Sequence, residues 1–188
     1  MLLPNYLFET NISTELFKLY NLDKITTPEK LSSWMHTNFS YWQHDESNVE
    51  SFDEILKSKK GDCYDQVEFE KIMFNKMNIK YSCLYMIEYK DSNWQQGYGT
   101  HALLYYKKNN KFYWFENAWG KYYGIHQYDS LDELKEDLFN KWQFNYGCDR
   151  LLITTLGKVH PGMSHGEYAY ECTKKFNKKP TSGVYKKK

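Results

Sequence analysis

The sequence predicts an α+β fold, helices first and an antiparallel sheet after them, and three observations predict it. Helix-start signals followed by apolar residues three and four apart recur up to about Lys76. From Tyr81 the texture changes to strict alternation, the side-chain period of a strand. Short polar turns, not helical crossovers, separate the alternating stretches between Tyr81 and Tyr128, as an antiparallel meander requires.

The elements follow in order. Ile12 to Tyr20 reads as a short helix with Leu16, Leu19 and Tyr20 on one side. Thr26-Thr27-Pro28-Glu29 opens a second helix, with Thr26 and Glu29 at capping-box spacing and proline in the first turn. It carries Leu31, Trp34 and Met35 inward, ends near Asn38, and leaves Phe39 to Trp42 extended. Ser51 and Glu54 are a second capping box, for a brief helix that stops at Lys59-Lys60-Gly61. The next helix runs from Cys63 to about Lys76, with Phe69, Ile72, Met73 and Met77 on its apolar face.

Tyr81, Cys83, Tyr85, Ile87 and Tyr89 then alternate with Ser82, Leu84, Met86 and Glu88 along the first long strand. After a polar loop from Asp91 to Gly99, Thr100 to Tyr106 is the second strand and Phe112 to Glu116 the third, joined by a turn at 108–111. Tyr122 to Tyr128 is a fourth, and Ser130 with Glu133 caps a helix to about Trp142. Cys148 to Leu156 is a last strand, and Ser164 with Glu167 caps a final helix through Cys172. Residues 1–173 are expected to form one domain with its core at about 26–140, and the basic tail 174–188 to be loose.

Composition removes several function classes. Net charge is +1, so no global field points to nucleic acid or to a membrane surface. The start of the chain lacks a basic segment and an apolar run, and no stretch approaches the roughly 20 apolar residues of a membrane helix. Cys63, Cys83, Cys148 and Cys172 show no zinc spacing, and without an export signal they read as reduced thiols in a cytoplasmic setting; no metal and no organic cofactor is expected. With 19 % aromatic residues, including 18 tyrosines and 6 tryptophans, the chain can fill a core or wall a substrate cleft.

Lys60-Gly61-Asp62-Cys63-Tyr64-Asp65-Gln66 is where chemistry concentrates. Glycine permits a sharp turn, aspartate caps a helix, and the thiol at the first helical position lies beside unpaired N–H groups, which favour a thiolate. A thiol nucleophile also needs an imidazole and a polar group to orient it. Pairing about the 108–111 turn sets Ala102 opposite Glu116, within a residue or two, so His101 and Glu116 are expected to be near neighbours at one sheet edge. Packing the cysteine helix on that edge would complete a Cys63–His101–Glu116 triad.

Gly61-Asp62-Cys63, Thr100-His101-Ala102 and the run from Lys111 to Gly120, with Trp114, Glu116 and Trp119, together resemble the transglutaminase-like (papain-like) superfamily of cysteine enzymes, over roughly residues 26–140. The closest likeness is to small bacterial or phage-type single-domain members. The resemblance implies Cys63 as nucleophile, His101 as general base and acid, and Glu116 as orienter, standing where most members have aspartate. Asn117 is a fallback orienter. The Cys63 backbone N–H is the first oxyanion donor, with Tyr41, Trp42 and Gln66 as candidates for the second. The implied activity is hydrolysis or acyl transfer at an amide bond (peptide, isopeptide or glutamine-type), with a peptide or protein substrate.

The alternative is a catalytically inactive binding module of the same fold, a phage or host-interaction protein. Cys63 alone could be a small buried apolar residue, and Asp65 and Gln66 merely a polar helix face. Trp119 reads as core, and His160 and His165 as loop residues beside Pro161-Gly162.

Overall fold

The computed structural model describes residues 14–43, 48–89, 96–155, 159–174 and 183–186. In chain order these form α1 (Thr14–Leu19), α2 (Pro28–Asn38), β1 (Ser40–Tyr41), α3 (Phe52–Ser58), β2 (Lys60–Gly61), α4 (Cys63–Lys76), β3 (Tyr81–Tyr89) and β4 (Gln96–Lys108). β5 (Lys111–Glu116), β6 (Gly124–Tyr128), α5 (Leu131–Tyr146), β7 (Arg150–Thr155), α6 (His165–Thr173) and β8 (Val184–Lys186) follow. The strands β3 to β8 make one six-stranded antiparallel sheet in the order β6-β5-β4-β3-β7-β8, so the chain is mixed α/β.

Helix starts are set by local chemistry. The Ser51–Glu54 and Ser164–Glu167 boxes both close reciprocally. At α5, Ser130 accepts from the Glu133 N–H, but the Glu133 carboxylate reaches back to the Asp129 N–H, so only half the expected box forms. At α2 the cap is Thr27, one residue later than expected, because Pro28 takes the first helical position, where it has no N–H to lose. α3 ends with Lys59 in the left-handed region, and the chain passes into β2, which pairs in parallel with β1.

The two sheet faces have separate cores. Leu104, Tyr106 and Phe115 pack with Leu31 and Met35 of α2, Ile55 and Leu56 of α3, and Phe69, Met73 and Phe74 of α4. Further along that face Tyr85, Ile87, Ala102 and Leu152 meet Cys63, Tyr64 and Val67 of α4 and Tyr168 and Cys172 of α6. The opposite face buries Leu84, Met86, Leu103 and Trp114 against Leu134, Leu138, Phe139 and Trp142 of α5.

The β4–β5 hairpin turns on Asn109 and Asn110, both at positive φ, the two-residue geometry whose twist suits a tight hairpin. Its register pairs Lys108 with Lys111 and Leu104 with Phe115, one residue off the expected alignment. The described part of β4 starts at Gln96, earlier than expected, and the rest of the predicted loop from Asp91 lies outside the described residues. In the tail expected to be loose, Val184–Lys186 pairs with β7 as an edge strand; the other tail residues beyond Lys174, except Gly183, lie outside the described set. No helix among the described residues is long and apolar enough to cross a membrane.

Candidate active site

The helix carrying Cys63 is fixed at its first turn. Asp62 Oδ1 accepts from the Tyr64 and Asp65 N–H groups at 2.8 and 3.3 Å, and Asp65 Oδ2 accepts from the Asp62 N–H at 2.9 Å. Gly61 lets this box close, since a Cβ there would stand 2.7 Å from Asp65 Cβ. The Cys63 N–H has no partner among the described residues; the caps take its neighbours and leave it.

His101 and Glu116 sit on the α5 face of the sheet. His101 Nε2 lies 2.8 Å from Glu116 Oε2, and both side chains are buried. The carboxylate also accepts from Trp114 Nε1 at 3.1 Å and from the Trp119 N–H at 2.7 Å, so three donors satisfy it. With Nε2 donating to Glu116, the tautomer this network assigns leaves Nδ1 as the basic nitrogen. Trp119 and Trp142 stand beside the imidazole at centroid distances of 5.5 and 6.5 Å. Trp119, read as core, therefore helps wall the histidine.

Cys63 comes from the other face. The two meet because the β4–β5 pairing ends at Leu104 and Phe115, while β5 continues beside β6 to Glu116. The edge of β4 next to His101 is open there, and Cys63 packs in one cluster with Ala102, whose N–H favours the thiolate. The structure thus holds the thiol one residue along from His101.

The thiol is not the pre-ionised group that its helix position suggests. Cys63 is 4 % exposed. Burial pushes its pKa well above the ordinary range and the Asp62 carboxylate pushes it further; the Ala102 N–H pulls the other way, while Glu116 and Asp65 add to the rise. Desolvation and three carboxylates outweigh the half-charge of the helix end. A base is therefore required to take the proton.

Gln66 and Asn117 act on one another. Asn117 Nδ2 donates to Gln66 Oε1 at 2.6 Å, and Gln66 Nε2 donates to the Gly61 carbonyl at 3.0 Å. This chain ties the residue after Glu116 to the turn before Cys63. Gln66 Nε2 is engaged with backbone, and Asn117 is bonded to Gln66 and not to His101. Trp42 is half exposed under Lys60 Nζ, at 4.9 Å, and is not among the residues lining the cleft.

Above the sulfur lies a cleft of about 410 Å³ that Cys63 itself lines. Tyr41, Gln43, Asp62, Glu88, Trp142 and His165 are among its other walls. His165 corrects an expectation: it starts α6, with Nε2 2.8 Å from Asp62 Oδ2 and its ring 4.4 Å from that of Tyr64. The approach to Asp62 is close enough for an ion pair but not aligned as a hydrogen bond. Glu88, Trp142 and Tyr146 were also not foreseen; each sits where only the packing of distant elements could bring it to Cys63. The Ser164 cap, which fixes where His165 stands, was the one available signal. Among the described residues no group of three or more His, Cys, Asp or Glu side chains is placed to hold a metal ion.

No family model matches the chain, and no curated protein matches it. Among solved structures it is similar to an arylamine N-acetyltransferase from Bacillus cereus described as having a unique Cys-His-Glu catalytic triad, at 13 % identity over 76 % of this chain and 81 % of that one, with a TM-score of 0.40. A likeness that distant carries no argument about this chain, and the site rests on its own geometry.

Proposed function

We propose that the protein is a thiol enzyme acting on an amide or related acyl bond, with Cys63 as nucleophile, His101 as base and acid, and Glu116 as orienter. The observation that carries this reading is the buried His101–Glu116 pair, at 2.8 Å, one residue from Ala102, against which Cys63 packs. A carboxylate with three donors keeps the imidazole in one tautomer, which is what a proton shuttle requires.

Substrate enters the cleft over Cys63. The sulfur attacks the carbonyl carbon as its proton passes to His101 Nδ1. The tetrahedral oxygen is received by the unpartnered Cys63 N–H, with the Tyr41 hydroxyl as the second donor on the cleft wall. His101 returns the proton to the leaving amine, the C–N bond breaks and an acyl thioester remains on Cys63. Attack on the thioester by water makes the reaction hydrolysis; attack by an amine makes it transfer. A peptide or protein substrate, a cytoplasmic setting and membership of the transglutaminase-like superfamily belong to this proposal.

The test is an activated acyl donor, 4-nitrophenyl acetate, followed by mass spectrometry of the intact and digested protein. One acetyl group on the Cys63 peptide, absent in Cys63→Ala, is the expected result. Acetylation spread evenly over Cys63, Cys83, Cys148 and Cys172, or none, sinks the proposal. The burial of the Cys63 thiol favours a second reading, an inactive binding module, and the empty outcome of the same experiment is what that reading expects.

A further inference from the structure

We infer that the cleft over Cys63 selects a substrate that carries a protonated amine near its scissile bond, held at the end of the cleft formed by Glu88, Gly99 and Trp142. The inference rests on the reading of this cleft as the place where substrate meets Cys63.

Among the described residues lining the cleft the charged side chains are the carboxylates of Asp62 and Glu88, with His165 beside Asp62, and none is a lysine or arginine. Asp62 is occupied as helix cap and by His165. The Glu88 side chain has no hydrogen bond or ion pair with any described residue, its backbone pairing being in the β3–β7 ladder. An unpaired carboxylate on the wall of a concave, partly desolvated site repels an anionic ligand and favours a cation.

The packing around Glu88 is built to keep it there. A Cβ on Gly99 would stand 2.9 Å from Glu88 Oε2 and 2.5 Å from Trp142 Cζ2, so only a bare backbone lets the carboxylate and the indole close in together. Trp142 is 4 % exposed and its Nε1 has no partner among the described residues, where the ring packs against Trp119 and Tyr146. Tyr41 and Tyr146 extend the aromatic wall. A carboxylate flanked by aromatic rings suits an ammonium group, through charge and through the ring faces. Among the described lining residues a carboxylate or phosphate ligand finds no lysine or arginine to meet it, and His165 is already engaged with Asp62; a neutral amide leaves Glu88 no better paired than water does.

The test uses methanethiosulfonate reagents of one size class bearing a cationic trimethylammonium, a neutral methyl or an anionic sulfonate tail. In each, the Cys63 sulfur attacks the reagent's sulfenyl sulfur, a disulfide forms, methanesulfinate leaves with the bonding pair, and the thiol proton passes to base. Labelling of Cys63 is followed by mass spectrometry and referred to 2-mercaptoethanol. The expected cation-to-anion rate ratio exceeds that of the small thiol by on the order of tenfold or more, and Glu88→Gln removes most of the excess. A ratio equal to the small thiol's, no labelling by the cationic reagent, or an excess unchanged by Glu88→Gln overturns the inference.

Two ligands distinguish the source of the amine. Protection of Cys63 by butylammonium assigns a free amine, and protection by acetyl-lysine methylamide alone assigns a lysine side chain in a peptide. Protection by neither overturns the inference. Labelling requires only that a reagent reach the thiol, so an enzyme reading that fails for want of an acyl adduct leaves the charge ratio readable.

Discussion

Two imidazole–carboxylate pairs act around Cys63, each with Nε2 2.8 Å from a carboxylate oxygen, and they are not equivalent. In the His101–Glu116 pair the side chains are 7 and 2 % exposed, and the carboxylate has two further donors besides the histidine. In the His165–Asp62 pair the histidine is 28 % exposed, and the aspartate is already engaged in capping α4. The comparison shows that distance does not assign the role. Burial and the remaining partners of the carboxylate do, because they decide whether the imidazole is held in one tautomer in a dry wall or rests on a group whose first duty is structural.

The largest expected effect is on the first pair. His101→Ala lowers the rate of Cys63 acetylation at neutral pH by at least about a hundredfold, since it removes the base that a thiol of raised pKa needs. Glu116→Gln comes next, acting through the same imidazole with a loss that does not exceed that of His101→Ala. The carboxamide cannot accept from His101 and Trp114 on one side and from the Trp119 N–H on the other, so one N–H always faces another. If Glu116→Gln acetylates at the wild-type rate, the buried pair is structural and the comparison collapses.

Changes in the second pair separate cap from charge. Asp62→Ala costs about 1–2 kcal/mol of stability in denaturant titration, by removing the acceptor for the Tyr64 and Asp65 N–H groups. Asp62→Asn retains a good cap and removes the charge that is the second cause of the raised Cys63 pKa, so its Cys63 alkylates at lower pH than the wild type's while its melting temperature barely moves. An unchanged alkylation profile in Asp62→Asn would mean that burial alone sets the thiol.

The smallest effect lies away from both pairs. Glu70 is 2 % exposed with an unpartnered Oε2, and burial, aided by Glu116, raises its pKa well above the ordinary carboxylate value. The folded state therefore holds a proton that the unfolded state releases. Its contribution is fully present below the ordinary carboxylate range and is lost as pH rises towards the raised value. Glu70→Gln should flatten that fall in melting temperature with pH; an unchanged slope would place the effect elsewhere.

How much of this was legible depended on how local each signal was. The glycine turn, the aspartate cap and the cysteine at a helix start are neighbours in sequence, and they lie in the structure as the spacing required. His101 and Glu116 were legible because a two-residue asparagine turn sets the register of one hairpin, and a one-residue error still left them adjacent. The state of the thiol was not legible, because helix position is local whereas desolvation and the Asp62 charge depend on how the elements pack. The roles of Gln66 and Asn117 were hidden for the same reason. Each is a polar residue beside a motif, and only folding shows that the two bond across 51 positions. His165, Glu88 and Trp142 belong to three elements far apart in the chain, and no period or spacing links them to Cys63.

The central claim is that His101 takes the proton from Cys63, and the pH dependence of Cys63 alkylation by iodoacetamide in wild type and His101→Ala tests it most directly. The thiol pKa is raised, so without the base the thiolate is scarce at neutral pH and its population grows about tenfold per pH unit. The account predicts that His101→Ala lags far behind wild type at neutral pH and converges with it in strong alkali. Superimposable profiles across the whole range would contradict it.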